Sequence, residues 1–131
     1  LARRDRRNFV TLRDVDRALQ ATVQETTGII RHAYISLTDD QPIALTVLAH
    51  ITDDGRPFAS LDDISETLHQ DGLDVAKRDL FESLRQLVER DFLVERGGEG
   101  AGRQYGFAMD LVRVWIEQND EYQRLLEELR A

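Results

Sequence analysis

Between Asp74 and Ala108 the chain changes hydrophobic period once, and that change constrains its fold more than any other feature. In VAKRDLFESLRQLVERD, with Asp74 as its expected cap, Leu80, Phe81, Leu84, Leu87 and Val88 recur at i, i+3, i+4 and i+7, the stripe of an amphipathic helix. FLVER (Phe92 to Arg96) and RQYGFA (Arg103 to Ala108) then read as two short strands. The loop between them, GGEGAG at Gly97 to Gly102, suits a hairpin tip.

Upstream, Ser60 and Asp63 make a capping box for a helix with Leu61, Ile64 and Leu68 inward and Gly72 at its close. Asp39 or Asp40 is expected to cap an earlier helix with Pro42 in its first turn. Ile43, Val47, Leu48 and Ile51 form its apolar face, and it ends at the Asp53-Asp54-Gly55 turn before a brief extended piece, RPFAS. Earlier still, TLRD at Thr11 to Asp14 fits a capping box for a helix over about Leu12 to Thr26, with Gly28 as its stop. Ile29 to Leu37 is a short apolar segment whose period does not separate helix from strand; helix is the preferred reading. From Asp110 one long helix is expected nearly to the end, with Leu111, Trp115, Tyr122, Leu126 and Leu129 along one face.

The 131 residues suit one ordinary domain. With no cysteine, disulfide scaffolds, thiol nucleophiles and zinc ribbons are excluded. The longest apolar run, IALTVLA at Ile43 to Ala49, falls well short of the ~20 residues of a spanning helix, so no membrane partner is expected. LARRDRRNF carries no apolar segment of a secretory signal, which makes a cytoplasmic location the expectation. The Leu start and abrupt basic lead suggest a fragment of a longer polypeptide.

Net charge is −8 and uneven: residues 1–37 carry seven Arg and four acids, residues 38–131 ten bases and 21 acids. The bulk of the domain therefore repels polyanions, and DNA binding would need a strong local basic patch.

The order helix, extended piece, helix, tight glycine turn, helix, strand, loop, strand, helix is that of a winged helix-turn-helix. The whole is expected to be mainly α with a small β-hairpin, preceded by linker helices. The stretches SLTDDQPIALTVLAH, SLDDISETL, LFESLRQLVERDFLVER and QYGFAMDLVRVWI resemble the winged-helix module that follows the ATPase core in many bacterial AAA-like and STAND ATPases. Leu37 to Asp40, Leu87 to Leu93, Tyr105 to Phe107 and Leu111 to Ile116 match that pattern in turn, and FVTLRDVDRAL is similar to the last helix of an ATPase lid. The resemblance implies three parts: residues 1–37 as a basic segment and linker helices ending a preceding lid, 38–118 as the winged helix, and 119–131 as a C-terminal helix extension.

It also implies a non-enzymatic regulatory module of a larger ATPase, relaying nucleotide state through interdomain or protein contacts. No Walker A pattern occurs and the single lysine, Lys77, follows no glycine-rich loop, so no cofactor is expected in this fragment and ATP would bind elsewhere in the parent. The alternative is the DNA-binding domain of a transcription regulator, reading the groove with Lys77, Arg78, Arg85 and Arg103, with Arg3 to Arg7 as an arm. Charge disfavours it: Lys77, Arg78, Arg85 and Arg90 interleave with Asp79, Glu82 and Glu89, and the wing tip offers Glu99 against Arg103.

His32, His50 and His69 fall on separate segments, and the acidic doublets sit at helix ends or turns, so neither a catalytic nor a metal constellation is expected. Tyr122, Leu125, Leu126 and Leu129 continue an apolar stripe beyond the winged helix, among acids. Three covers suit such a stripe: the N-terminal helices of the same chain, a second copy in a helical dimer, or a neighbouring domain.

Overall fold

In a computed structural model, residues 25–97 and 102–130 are described. The chain divides into two compact units, residues 1–36 and 37–131. Of the first, helix α1 is described over residues 25–35. The expected helix over Leu12 to Thr26, its capping box and the Arg3 to Arg7 cluster lie outside the described residues. The expected stop at Gly28 is corrected, because this glycine sits inside α1. The turn falls instead at Ser36, whose hydroxyl bonds back to the Ala33 carbonyl at 2.5 Å.

The second unit has the winged helix-turn-helix order: α2 (Gln41–Ile51), β1 (Phe58–Ser60), α3 (Leu61–Gln70), α4 (Lys77–Glu89), β2 (Leu93–Arg96), β3 (Gln104–Phe107), α5 (Asp110–Gln118) and α6 (Glu121–Arg130). It is mainly helical with a small sheet. At its centre lies α2, which packs against α3, α4, α5 and α6. Ala44 to Ala49 are all buried. A helix apolar all round is a core helix, and IALTVLA has no charged residue to hold any side in water. Thr46 joins the core because its hydroxyl donates to the Pro42 carbonyl at 2.7 Å.

The caps follow local chemistry in two cases and depart from expectation in two. Ser60 Oγ accepts the Asp63 amide at 3.1 Å, and Asp63 accepts the Ser60 amide at 3.3 Å, closing the expected capping box of α3. At Gly72, φ +90, the Gly72 amide reaches the His69 carbonyl and the Leu73 amide the Leu68 carbonyl, the left-handed stop that favours glycine. Asp40 does hold the N-cap position of α2, but its side chain makes no cap bond; Gln41 Oε1 accepts the Thr38 amide instead. The cap of α4 is Ala76, two residues beyond the expected Asp74, whose carboxylate is engaged by His69 Nδ1 at 2.8 Å.

Leu80, Leu84 and Leu87 of α4 are fully buried, while Phe81 is 37% exposed. The sheet has three antiparallel strands in the order β1-β3-β2, one more than the expected hairpin. RPFAS supplies the extra strand, pairing Ala59 with Tyr105 and Phe58 with Gly106. Gly106 faces the Phe58 ring so closely that a Cβ there would stand 2.7 Å from the Pro57 carbonyl oxygen and 2.9 Å from the ring. One obstacle is backbone just before β1 and the other is the Phe58 ring, so the chain beside Gly106 must shift to admit even a methyl group.

The expected single C-terminal helix is two. Asn119 Nδ2 donates to the Trp115 carbonyl at 2.8 Å, and Asp120 turns the backbone at φ +50 before α6 begins. The change of direction brings α6 back over α2. Leu111, placed in the expected stripe, is 54% exposed.

Gly106→Ala is expected to lower unfolding stability by ~1–3 kcal/mol, the usual cost of overpacking, read as a shifted urea midpoint at unchanged slope.

Candidate interaction surface

Helix α4 is the element that a DNA-reading winged helix lays in the major groove, with its first residues on the bases. Here Lys77 and Arg78 form its first turn, and Arg85 lies two turns further on. Each meets a different electrostatic setting. Lys77 Nζ pairs with Asp62 of α3 at 2.9 Å. Arg85 is held by Glu82 and Glu89 on either side, contacts that raise its pKa and, through the Arg85 hydrogen bond, lower that of Glu82. Arg78 is exposed, and among the described residues no hydrogen bond or ion pair engages it.

Such exposed pairs add little stability and can rearrange, so the stronger fact is the balance of charge. Along Lys77–Glu89 three bases meet three acids, and α3 beside it carries Asp62, Asp63 and Glu66 with no lysine or arginine. A phosphate backbone approaching this face meets as much repulsion as attraction before α3 is counted.

Arg103 stands at the start of β3, over the Phe81 ring at 5.8 Å to the centroid and 3.8 Å from Glu95. Burial raises the pKa of the neighbouring Tyr105 phenol, and the nearby Arg103 guanidinium opposes that rise. The structure thus brings Arg103 to α4 through Phe81, an exposed aromatic that the sequence stripe had assigned to the core. Arg96, on the other face of the sheet, stacks on Phe58 at 3.8 Å and donates to Gln104. The tip residues 98–101, with Glu99, lie outside the described residues.

Arg90 is exposed, as expected of the bases of this helix, and reaches across to α2. Its guanidinium donates to Gln41 Oε1 at 3.2 Å and lies over Phe92, and Gln41 Nε2 donates to Gln86 Oε1 at 2.7 Å. This network ties the start of α2 to the end of α4. Sequence reasoning missed it because nothing local links positions 41, 86 and 90. Arg113 similarly joins α5 to the Asp53-Asp54-Gly55 turn, at 2.8 Å from Asp110 and 3.3 Å from Asp54.

Beside the start of α4 is an open cleft of about 350 Å³ lined by Asp62, Glu66, His69, Leu73, Asp74 and Lys77. His50 lies elsewhere, its ring 4.8 Å from that of Tyr122. Among the described residues no three His, Asp or Glu side chains are grouped to hold a metal ion, and no helix is long and apolar enough to cross a membrane.

The C-terminal stripe is largely covered by its own domain. Tyr122 and Leu126 are buried, Leu125 is half-buried, and Leu129 is 50% exposed. As a surface for another molecule, the expected set Tyr122, Leu125, Leu126 and Leu129 contracts to Leu129 with part of Leu125. The cover seen among the described residues is none of those three: α6 lies on α2 and α5 of its own unit. Tyr122 donates its hydroxyl to Asp71 Oδ2 at 2.5 Å.

No known family profile matches the chain, and neither does any curated protein. Among solved structures it is similar to a mutant of Lactococcus lactis ZitR in its apo form, at 17% identity and a TM-score of 0.47, covering 86% of this chain and 78% of that one. It is also similar to AdcR, the adhesin competence repressor of Streptococcus pyogenes, at 18% identity and a TM-score of 0.45, covering 87% and 82% respectively.

Burial first, then the Asp71 hydrogen bond and charge, push the Tyr122 phenol well above the ordinary tyrosine range of about 10. The folded state therefore favours the neutral phenol. Its contribution to stability is fully present below about pH 10 and is lost as pH rises from there through the folded value. Tyr122→Phe is expected to flatten this alkaline decline, measured as urea midpoints between about pH 8 and 11.5.

Proposed function

We propose that this domain is a non-enzymatic winged-helix module that works through protein or interdomain contacts as part of a larger ATPase. One observation carries the contact reading: the exposed charges of α4 are balanced, with Lys77 on Asp62 and Arg85 between Glu82 and Glu89. The excess of 11 acids over residues 38–131 acts in the same direction. The ATPase relation rests on the sequence resemblance of the elements from Leu37 to Ile116. On that reading the nucleotide binds in the parent's own core, and this unit responds to its state through the domain that precedes it.

A second reading, DNA binding by a transcription regulator, is favoured by one feature. Arg78 is exposed in the first turn of α4, with no partner among the described residues, where a groove-reading helix makes its base contacts. Arg103, near Phe81, would supply a second contact from the wing.

Fluorescence anisotropy with a labelled random-sequence duplex separates the two. The contact reading expects no binding at ~10 μM protein in about 50 mM salt. DNA recognition through Lys77, Arg78 and Arg103 expects micromolar binding that falls on the order of 40-fold by about 200 mM, the loss for three phosphate contacts. It would also be abolished by Lys77→Glu with Arg78→Glu.

A further inference from the structure

In the turn between α3 and α4, Asp71 is held by two side chains of α6. Its carboxylate accepts the Tyr122 hydroxyl at 2.5 Å, and its carbonyl accepts the Arg130 guanidinium. Tyr122 and Arg130 are eight positions apart, so the first and last turns of α6 converge on the same turn residue. At the neighbouring Gly72 a Cβ would come within 3.8 Å of Arg130 Nε. The remainder of the docking is modest: Tyr122 and Leu126 are the apolar side chains of α6 that are buried, and Glu121 is buried beside Arg124.

A ten-residue helix does not persist alone in water, so α6 exists by virtue of this docking. Its connection to α5 is the two-residue break at Asn119 and Asp120, with Asp120 already at φ +50. Little apolar area, two polar anchors and a ready hinge describe a part that opens at lower free energy than the whole domain. What it would release is specific. The Gly72 and Leu73 amides, bonded to the His69 and Leu68 carbonyls, set the direction in which the chain leaves α3 for α4.

We propose that α6 is a detachable clasp on the helix-turn-helix, fixing the α3–α4 turn through Asp71 and freeing it when α6 swings away at Asn119–Asp120. A partner that captured the Tyr122 and Leu126 face would thereby loosen the mounting of α4 without touching α4. The inference stands apart from the choice between protein and DNA contacts, since it concerns how α4 is held rather than what it meets.

Hydrogen exchange of the full chain tests it, comparing wild type with Tyr122→Phe, Arg130→Gln and the double variant, none of which removes buried apolar volume to any extent. The clasp predicts that the Gly72 and Leu73 amides exchange about tenfold faster or more in the double variant. Buried-helix amides such as Leu48 and Leu84 would accelerate by less, no further than the fall in global stability read from the urea midpoint, and the single variants would fall between. Unchanged rates at Gly72 and Leu73 would overturn the proposal, as would a uniform acceleration that includes Leu48 and Leu84, which marks general destabilisation. A second measurement guards against a silent effect: a cysteine pair joining α6 to α2, introduced into this cysteine-free chain, should slow exchange at Gly72 and Leu73 when oxidised. Failure to do so also counts against the clasp.

Discussion

The burial of α2 on every side is the constraint from which the rest of the second unit follows. Residues Ala44 to Ala49 offer no face to water, so α3, α4, α5 and α6 must each cover part of the helix. Covering one helix with four others sets their mutual angles. It also leaves their outer faces free to carry charge. The Gln41, Gln86 and Arg90 network is the polar counterpart of this packing, pinning the open end of α2 to the end of α4 where no apolar contact could. The small sheet packs on α3, α4 and α5 in turn, and Gly106 lets the Phe58 ring lie directly against it.

Upon that scaffold the surface chemistry is a matter of neighbours. A winged helix becomes a DNA reader when its third helix and wing concentrate positive charge, and this one does not. Asp62 meets Lys77 because α3 and α4 cross there, while Glu82 and Glu89 flank Arg85 because residues three and four apart share a helix face. Arg103 is drawn to Glu95 and Phe81. Among the described residues, the bases Lys77 and Arg85 of α4 and Arg103 before β3 each have an acid beside them, and the proposed contact reading rests on that pairing.

Much of this architecture was legible in the sequence where the determinants are local. The α3 capping box, the Gly72 stop and the Leu80, Leu84, Leu87 stripe each act within a few residues and are found where expected. The misreadings arose where distant contacts decide. Phe58 to Ser60 is too short to show a period, and becomes a strand because β3 pairs with it from more than 40 positions away. Asp74 looked like a cap, but His69 engages its carboxylate and α4 begins later. The α5–α6 break was hidden because Leu111, Trp115, Tyr122, Leu126 and Leu129 keep helical phase across it. Asn119 and Asp120 were the available signal, being residues that tolerate left-handed backbone. The candidate surface was legible in its charges and illegible in their pairing, since Asp62 and Lys77 are 15 positions apart.

If local carboxylates are what keep α4 from polyanions, removing them should change its behaviour without altering the fold. The most direct measurement is duplex-DNA affinity at low salt for wild type and for the triple variant Asp62→Asn, Glu82→Gln, Glu89→Gln, which adds three positive units of net charge around α4. The account predicts salt-sensitive binding by the variant, tighter than wild type by at least about tenfold. Equal affinity of the two proteins, at any level, would contradict it.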